Sequence, residues 1–205
     1  MINIDIKKRI RTYSGSHLFH IKTSFVSNSI TQVLGPSGAG KTTFLKIFAG
    51  LIQPEEGFIM VENEIWLDTK ANICLPPQKR NVGFVFQDYA LFPNMTVEQH
   101  LHYGTKDKEY IQQLLSLGRM ETFLKHKPRQ LSGGQQQRLA ILRALVTRPK
   151  MLFMDEPFSA LDNSLKSGII FELKHLLKEL AITCLVVTHQ AFQPGEFSEF
   201  SFVLD

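Results

Sequence analysis

The chain has 205 residues, 43% hydrophobic and 20% charged, a balance that suits a single globular domain with a substantial core and excludes a disordered chain. Lysine and arginine number 23 against 19 acidic residues, and a net charge of +4 is too mild to imply a nucleic-acid partner. Cys74 and Cys184 stand 110 residues apart with no CxxC, which argues against a disulfide framework or a zinc site; their apolar neighbours make both read as small buried hydrophobes.

In chain order, the opening MINIDIKKRIRTY lacks the apolar core of a secretion signal. No run reaches the ~18 apolar residues that span a bilayer, so the expectation is a cytoplasmic protein. Ile2, Ile4 and Ile6 alternate with polar residues, which predicts a strand, and residues 17–25 suit a second. Residues 30–34 form a short apolar run ending at a glycine-rich turn. A helix is predicted from Lys41 to about Gly50, stopped by that glycine and by Pro54. Residues 57–67 read as a strand pair and 82–86 (VGFVF) as a buried strand. Tyr110, Ile111, Leu114 and Leu115 share one face of a helix over 106–118, and a second helix is expected over 136–147. Residues 151–154 predict a strand, and Leu165, Ile169, Leu173, Leu176 and Leu180 a helix. Residues 182–187 predict a buried strand leading to Thr188 and His189, and 200–204 a last one. Alternating strands and helices predict an α/β fold. The polar punctuation follows the strands, at the edge where open α/β sheets bind ligands.

Gly35-Pro36-Ser37-Gly38-Ala39-Gly40-Lys41-Thr42 fits GxxxxGK[ST]. A triphosphate needs its charge desolvated and held by successive backbone N–H groups, and the glycines permit that tight curl. The helix starting near Lys41 adds the positive end of its dipole. Lys41 is suited to the β/γ-phosphates and the Thr42 hydroxyl to Mg²⁺, with Thr43 in the same helical turn. MLFMDEP is an apolar strand ending in two carboxylates. Asp155 suits Mg²⁺, directly or through water, and Glu156 suits a general base for an attacking water. Leu131-Ser132-Gly133-Gly134-Gln135 is a second glycine loop opening a helix, hence a second anion site. The chain has one Lys-bearing phosphate loop, so two copies covering each other's nucleotide form an economical arrangement.

Over nearly its whole length the sequence resembles the ATP-binding subunits of ABC transporters. The family's motifs occur in order: Walker A at 35–42, the Q-loop at Gln87, the signature at 131–135, and Walker B at 151–155 with Glu156. The D-loop at Ser159-Ala160-Leu161-Asp162 and the switch histidine, His189, complete the set. The resemblance implies a P-loop NTPase core, a RecA-like parallel sheet, with N-terminal antiparallel β strands and an inserted α-helical subdomain. One ABC ATPase domain over 1–205 would divide into a catalytic core (1–87 and 131–205) and a helical subdomain (88–130). Gln87 would contact Mg²⁺ and the attacking water. Ser132, Gly133, Gly134 and Gln135 would contact the γ-phosphate held by the other subunit, Asp162 the dimer contact, and His189 the γ-phosphate. Adenine would stack on an aromatic, Tyr13 or Phe19.

The implied cofactors are ATP and Mg²⁺. The implied partners are a second copy, an integral membrane permease met by Tyr89, Leu91, Phe92 and Met95, and indirectly a solute-binding protein. The protein would then sit on the inner face of the cell membrane. Residues 65–80, the stretch NVGFVFQDYALFPNMTV and the opening MINIDIKKR are similar to molybdate importer ATPases. Sulfate, thiamine and ferric-iron importers are the alternatives. A non-transport ABC protein of DNA repair or translation is disfavoured, because the 43 residues between Gln87 and Leu131 leave no room for a coiled coil. Intact Gln87, Glu156 and His189 disfavour an inactive module. After His189 the family continues with an acidic residue and a helix, whereas here Gln190 follows and Pro194-Gly195 should break any helix.

Overall fold

The computed structural model describes residues 1–12, 15–189, 191–193 and 195–204. In chain order it runs β1 (Ile2–Thr12), β2 (Gly15–Phe25), β3 (Ile30–Leu34), α1 (Lys41–Phe48), β4 (Glu56–Val61), β5 (Glu64–Asp68), β6 (Ile73–Cys74) and β7 (Val82–Val85). There follow α2 (Val97–Gly104), α3 (Lys108–Gly118), α4 (Gly133–Leu145), β8 (Met151–Asp155), α5 (Asn163–Glu179), β9 (Thr183–Val187) and β10 (Phe200–Val203). Two sheets result: an antiparallel one ordered β2-β1-β4-β5-β6 and a parallel one ordered β10-β3-β9-β8-β7.

The central strands β3, β8 and β9 of the parallel sheet are buried on both faces, and the strand period of two divides their residues between two cores. Val33, Met151, Phe153, Leu185 and Val187 face α1 and the antiparallel sheet, packing with Phe44, Phe48, Ile59 and Trp66. Ile30, Val85, Leu152, Met154, Cys184 and Val186 face the opposite way, into the core shared with α2 to α5. The registers Met154↔Val186 and Asp155↔Val187 fix this division. A one-residue slip would exchange every side chain between the two cores, so the alternation specifies the register.

Two buried arginines tie the helices down. The Arg80 guanidinium, 2% exposed, donates to the carbonyls of Ile47 and Phe48 at the C-terminus of α1 (3.2 and 2.7 Å) and to Leu75 and Trp66 (2.8 and 3.3 Å). Arg138 donates to Gly118 and Arg119 at the C-terminus of α3 (2.8 and 3.2 Å). A cation at a helix C-terminus meets the negative dipole end and the last carbonyls together.

The structure differs from the sequence reading in several places. Helix α1 ends at Phe48, and Gly50 takes the left-handed turn (φ 79°) that follows. Helix α4 starts at Gly133 rather than 136, because Ser132 accepts the Gln135 N–H and so caps it. Helix α2 was not expected; Thr96 and Gln99 make reciprocal capping bonds at its start. Cys184 is buried, but Cys74 is exposed: β6 is a two-residue edge strand, and Ile73 beside it is exposed as well. The expected chain break around Gln190 and Pro194 lies outside the described residues, as does Tyr13. Among the described residues no helix is long and apolar enough to cross a membrane.

Candidate nucleotide site

The site lies at the C-terminal edge of the parallel sheet. Strand β3 is buried and stops at Gly35, after which the chain curls through Gly38 (φ 85°) and Gly40 (φ 89°) into α1. These two angles are left-handed, a region that costs residues with a Cβ about 1–2 kcal/mol. Gly40 is the N-cap of α1 and offers no side-chain cap, so the first-turn N–H groups point out of the helix without a side-chain partner. The Lys41 ammonium folds back and donates to the carbonyls of Gly35 (2.7 Å) and Pro36 (2.9 Å), holding the curl closed. The Thr42 hydroxyl donates to Asp155 Oδ2 at 2.7 Å. That single bond joins the glycine loop to the acidic end of β8, 113 residues away.

Asp155 is 3% exposed. Glu156 follows in a left-handed conformation (φ 53°), which turns its side chain away from the strand line. Its backbone N–H donates to Val187 at the end of β9 (3.1 Å). Its Oε1 is buried without a hydrogen bond, and His189 Nε2 stands 3.5 Å away, an ion-pair distance too long for a strong hydrogen bond. Burial raises the Glu156 pKa, and neighbouring Asp155 adds to this, while His189 and Lys41 oppose it. A carboxylate raised in this way is suited to accept a proton. A cavity of about 300 Å³ beside it is lined by Glu156, Ser159, Lys166, His189 and Phe192, among others.

The structure therefore gathers Lys41, Thr42, Asp155, Glu156 and His189 at one sheet edge. Gln87 is exposed just past β7. The Ser132–Gln135 loop stands apart. Its capping box joins Ser132 Oγ to the Gln135 N–H (3.3 Å) and Gln135 Oε1 to the Ser132 N–H (2.8 Å), and no bond links it to residues 35–43 among the described residues. Asp162 caps α5 by accepting the Leu165 N–H (2.9 Å). Phe19 borders the phosphate loop, where a Cβ on Gly40 would lie 2.6 Å from its ring. A cleft of about 410 Å³ opens there between Ile10, His17, Phe19 and Ala39, among others.

Three contributors escaped the sequence reading. Gln137 and Arg80 are almost wholly buried polar side chains, and Gln32 on β3 joins Ser201 Oγ (2.7 Å) to the Phe192 N–H (2.9 Å). Their partners come from distant parts of the chain, so no local spacing announces them.

A phosphate loop on a parallel sheet, bonded to an acidic strand end, defines the P-loop NTPase fold. A family model described as "ABC transporter" matches residues 18–159, and the chain belongs to that family. It is 39% identical over 207 residues to the "Molybdenum import ATP-binding protein ModC" of Mannheimia succiniciproducens, covering 100% of this chain and 58% of that protein. It is 38% identical to the "Putrescine transport ATP-binding protein PotG" of Escherichia coli, covering 91% of this chain and 50% of that one. The chain thus spans little more than half the length of these relatives. Among solved structures, the bacterial ABC transporter cassette MJ0796, described as a dimer, is 32% identical with a TM-score of 0.76, over 93% of this chain and 88% of that one.

Proposed function

We propose that the chain is the ATP-binding and hydrolysing subunit of an importer. The observation that carries this reading is the Thr42–Asp155 bond, which unites the loop that would hold the β- and γ-phosphates with the carboxylate suited to Mg²⁺, beside the unbonded Glu156 oxygen. The residues present fit magnesium-bound ATP: uncapped N–H groups and an ammonium for the phosphates, a hydroxyl and a carboxylate for the metal. Bound Mg²⁺ would neutralise phosphate charge and fix the geometry of the β- and γ-oxygens.

Gly35, Pro36, Ser37, Gly38, Ala39, Gly40, Lys41, Thr42 and Thr43 would cradle the phosphates, with Lys41 exchanging its loop carbonyls for phosphate oxygens. Asp155 and Gln87 would complete the metal's surroundings with Thr42. Glu156 would take the proton from the attacking water. His189 would touch the γ-phosphate. Phe19 has the position to stack on the base. Ser132, Gly133, Gly134 and Gln135 would meet the nucleotide of a second copy, with Asp162 at the contact. This arrangement is supported by the separation of the two glycine loops within one chain and by the dimer formed by MJ0796. Residues 88–130 would form the helical subdomain within the single domain, presenting Phe92 (40% exposed) to a membrane permease on the inner face of the membrane.

The cargo reading is molybdate or a related oxyanion, supported by the likeness to ModC proteins. The likeness to PotG and to the spermidine/putrescine ATPase PotA supports a second reading, an importer of another small solute. The test is ATP turnover by the chain assembled with its permease and solute-binding protein. Stimulation by molybdate, and not by sulfate, thiamine, ferric iron or putrescine, is expected. Stimulation by another of these solutes would replace the cargo, and no turnover under any condition would defeat the reading itself.

A further inference from the structure

Resting on that ATPase reading, we propose that Gln137 is the positioning residue for Glu156, and that it joins the signature helix to the proposed catalytic carboxylate of the same chain. Gln137 lies on α4, five residues after the Ser132 cap, and is 1% exposed. Its amide nitrogen donates to the Glu156 carbonyl (3.0 Å) and to Ser159 Oγ (3.3 Å). Its amide oxygen accepts the Ala160 N–H (3.1 Å). One orientation of the amide satisfies all three partners, so donor and acceptor ends are not interchangeable. Ser159 Oγ donates to the same Glu156 carbonyl at 3.1 Å, closing a small ring of bonds around it.

Glu156 needs such a holder. It is a non-glycine residue at φ 53°, a conformation that persists only where its surroundings enforce it. The N–H of Glu156 is fixed on β9 through Val187, and its carbonyl is fixed by Gln137 and Ser159. With both peptide groups held, the side chain leaves the strand end at one angle, toward His189. Gln137 touches none of the reacting groups and acts through the Glu156 backbone. Because α4 begins at the serine-glycine tip, a movement of that tip on a partner's nucleotide reaches the Glu156 carbonyl through a few residues of rigid helix.

The test compares wild type with Gln137→Met, which keeps the side-chain length and removes all three bonds. ATP turnover is measured with the permease present, together with ATP affinity and thermal stability. The expected result is a fall in kcat of tenfold or more, with ATP affinity within twofold of wild type. A filler role would lower melting temperature and ATP affinity together. Unchanged kcat, or kcat lost only in step with affinity, overturns the proposal. Should Gln137→Met fail to fold, Ser159→Ala carries the test: it removes one donor from the same carbonyl at an exposed position. A loss of about threefold in kcat at unchanged affinity is then expected, and no loss overturns the proposal. A wild type that binds ATP without turnover would defeat the ATPase reading and this proposal with it, whereas active wild type and equally active Gln137→Met would defeat this proposal alone.

Discussion

The two glycine loops, one before α1 and one before α4, use the same residue for different physical ends. At the first, Gly38 and Gly40 occupy left-handed angles, and the helix N-terminus has no side-chain cap. At the second, Gly133 and Gly134 lie within the ordinary helical turn, and Ser132 with Gln135 caps it. The glycines there provide bareness: nothing stands nearer than 3.9 Å to a Cβ on Gly133, while one on Gly134 would come within 3.0 Å of the Ala160 carbonyl. The first loop therefore leaves the first-turn N–H groups of α1 without a side-chain cap, and the second is complete as it stands. An anion reaching the second loop has to displace a hydrogen bond already made, which suits a contact that forms and breaks.

Substitutions can break this contrast. The largest effect belongs to Lys41→Ala, which removes the ammonium that closes the first loop. ATP affinity measured by calorimetry should fall at least ~100-fold, about 2.7 kcal/mol; unchanged affinity would remove Lys41 from the site. Next comes the same change made in both loops. Gly38→Ala has open space for its methyl but the wrong backbone angle. It should cost about 1–2 kcal/mol, a melting point lower by roughly 2–8 °C in a chain of this size. Gly133→Ala should leave the melting point in place, because alanine suits a helix's first turn. It should instead prevent the ATP-dependent dimer that Glu156→Gln is expected to trap. Equal melting shifts in both variants would erase the distinction.

Ser132→Ala should cost about 1 kcal/mol of stability through the lost cap, read as a lower denaturant midpoint; no change would mean the cap is not formed in solution. The smallest effect is the pH profile. Glu156 must be ionised to accept a proton, and burial holds its pKa above the ordinary carboxylate value. Activity should then fall with acidity at a higher pH than an exposed glutamate would give. His189→Ala, by removing a group that lowers this pKa, should push any residual limb higher still. An acid limb at or below the ordinary range would show Glu156 to be better solvated than its surroundings indicate.

What was legible in the sequence follows the range of the interactions. The phosphate loop, the acidic strand end and the buried parallel strands are written in contiguous residues, so their order and chemistry could be read directly. Helix α2 was hidden because its eight residues follow a capping signal, Thr96 with Gln99, inside a stretch that looked like docking surface. Cys74 was misjudged because Ile73 and Leu75 suggested a core position, although a two-residue edge strand leaves it open on one side. Gln137 and Arg80 could not be read, since a buried polar side chain is justified only by hydrogen-bond partners that the fold brings to it. His100 belongs with them. Wholly buried, it accepts the Phe92 N–H on Nε2 and contacts the Thr96 carbonyl through Nδ1, pinning the segment after Gln87 to α2.

The position of β3 has a consequence for biosynthesis. Its neighbours in the sheet are β9 and β10, so the strand that carries the phosphate loop leaves the ribosome about 150 residues before either flank exists. A Cβ on Gly35 would run into the Leu204 carbonyl, so even the first turn of the loop takes shape against a residue far along the chain. Pairings of such long sequence separation form slowly. The phosphate loop is thus synthesised well before the strands that flank it, and its final shape waits for them.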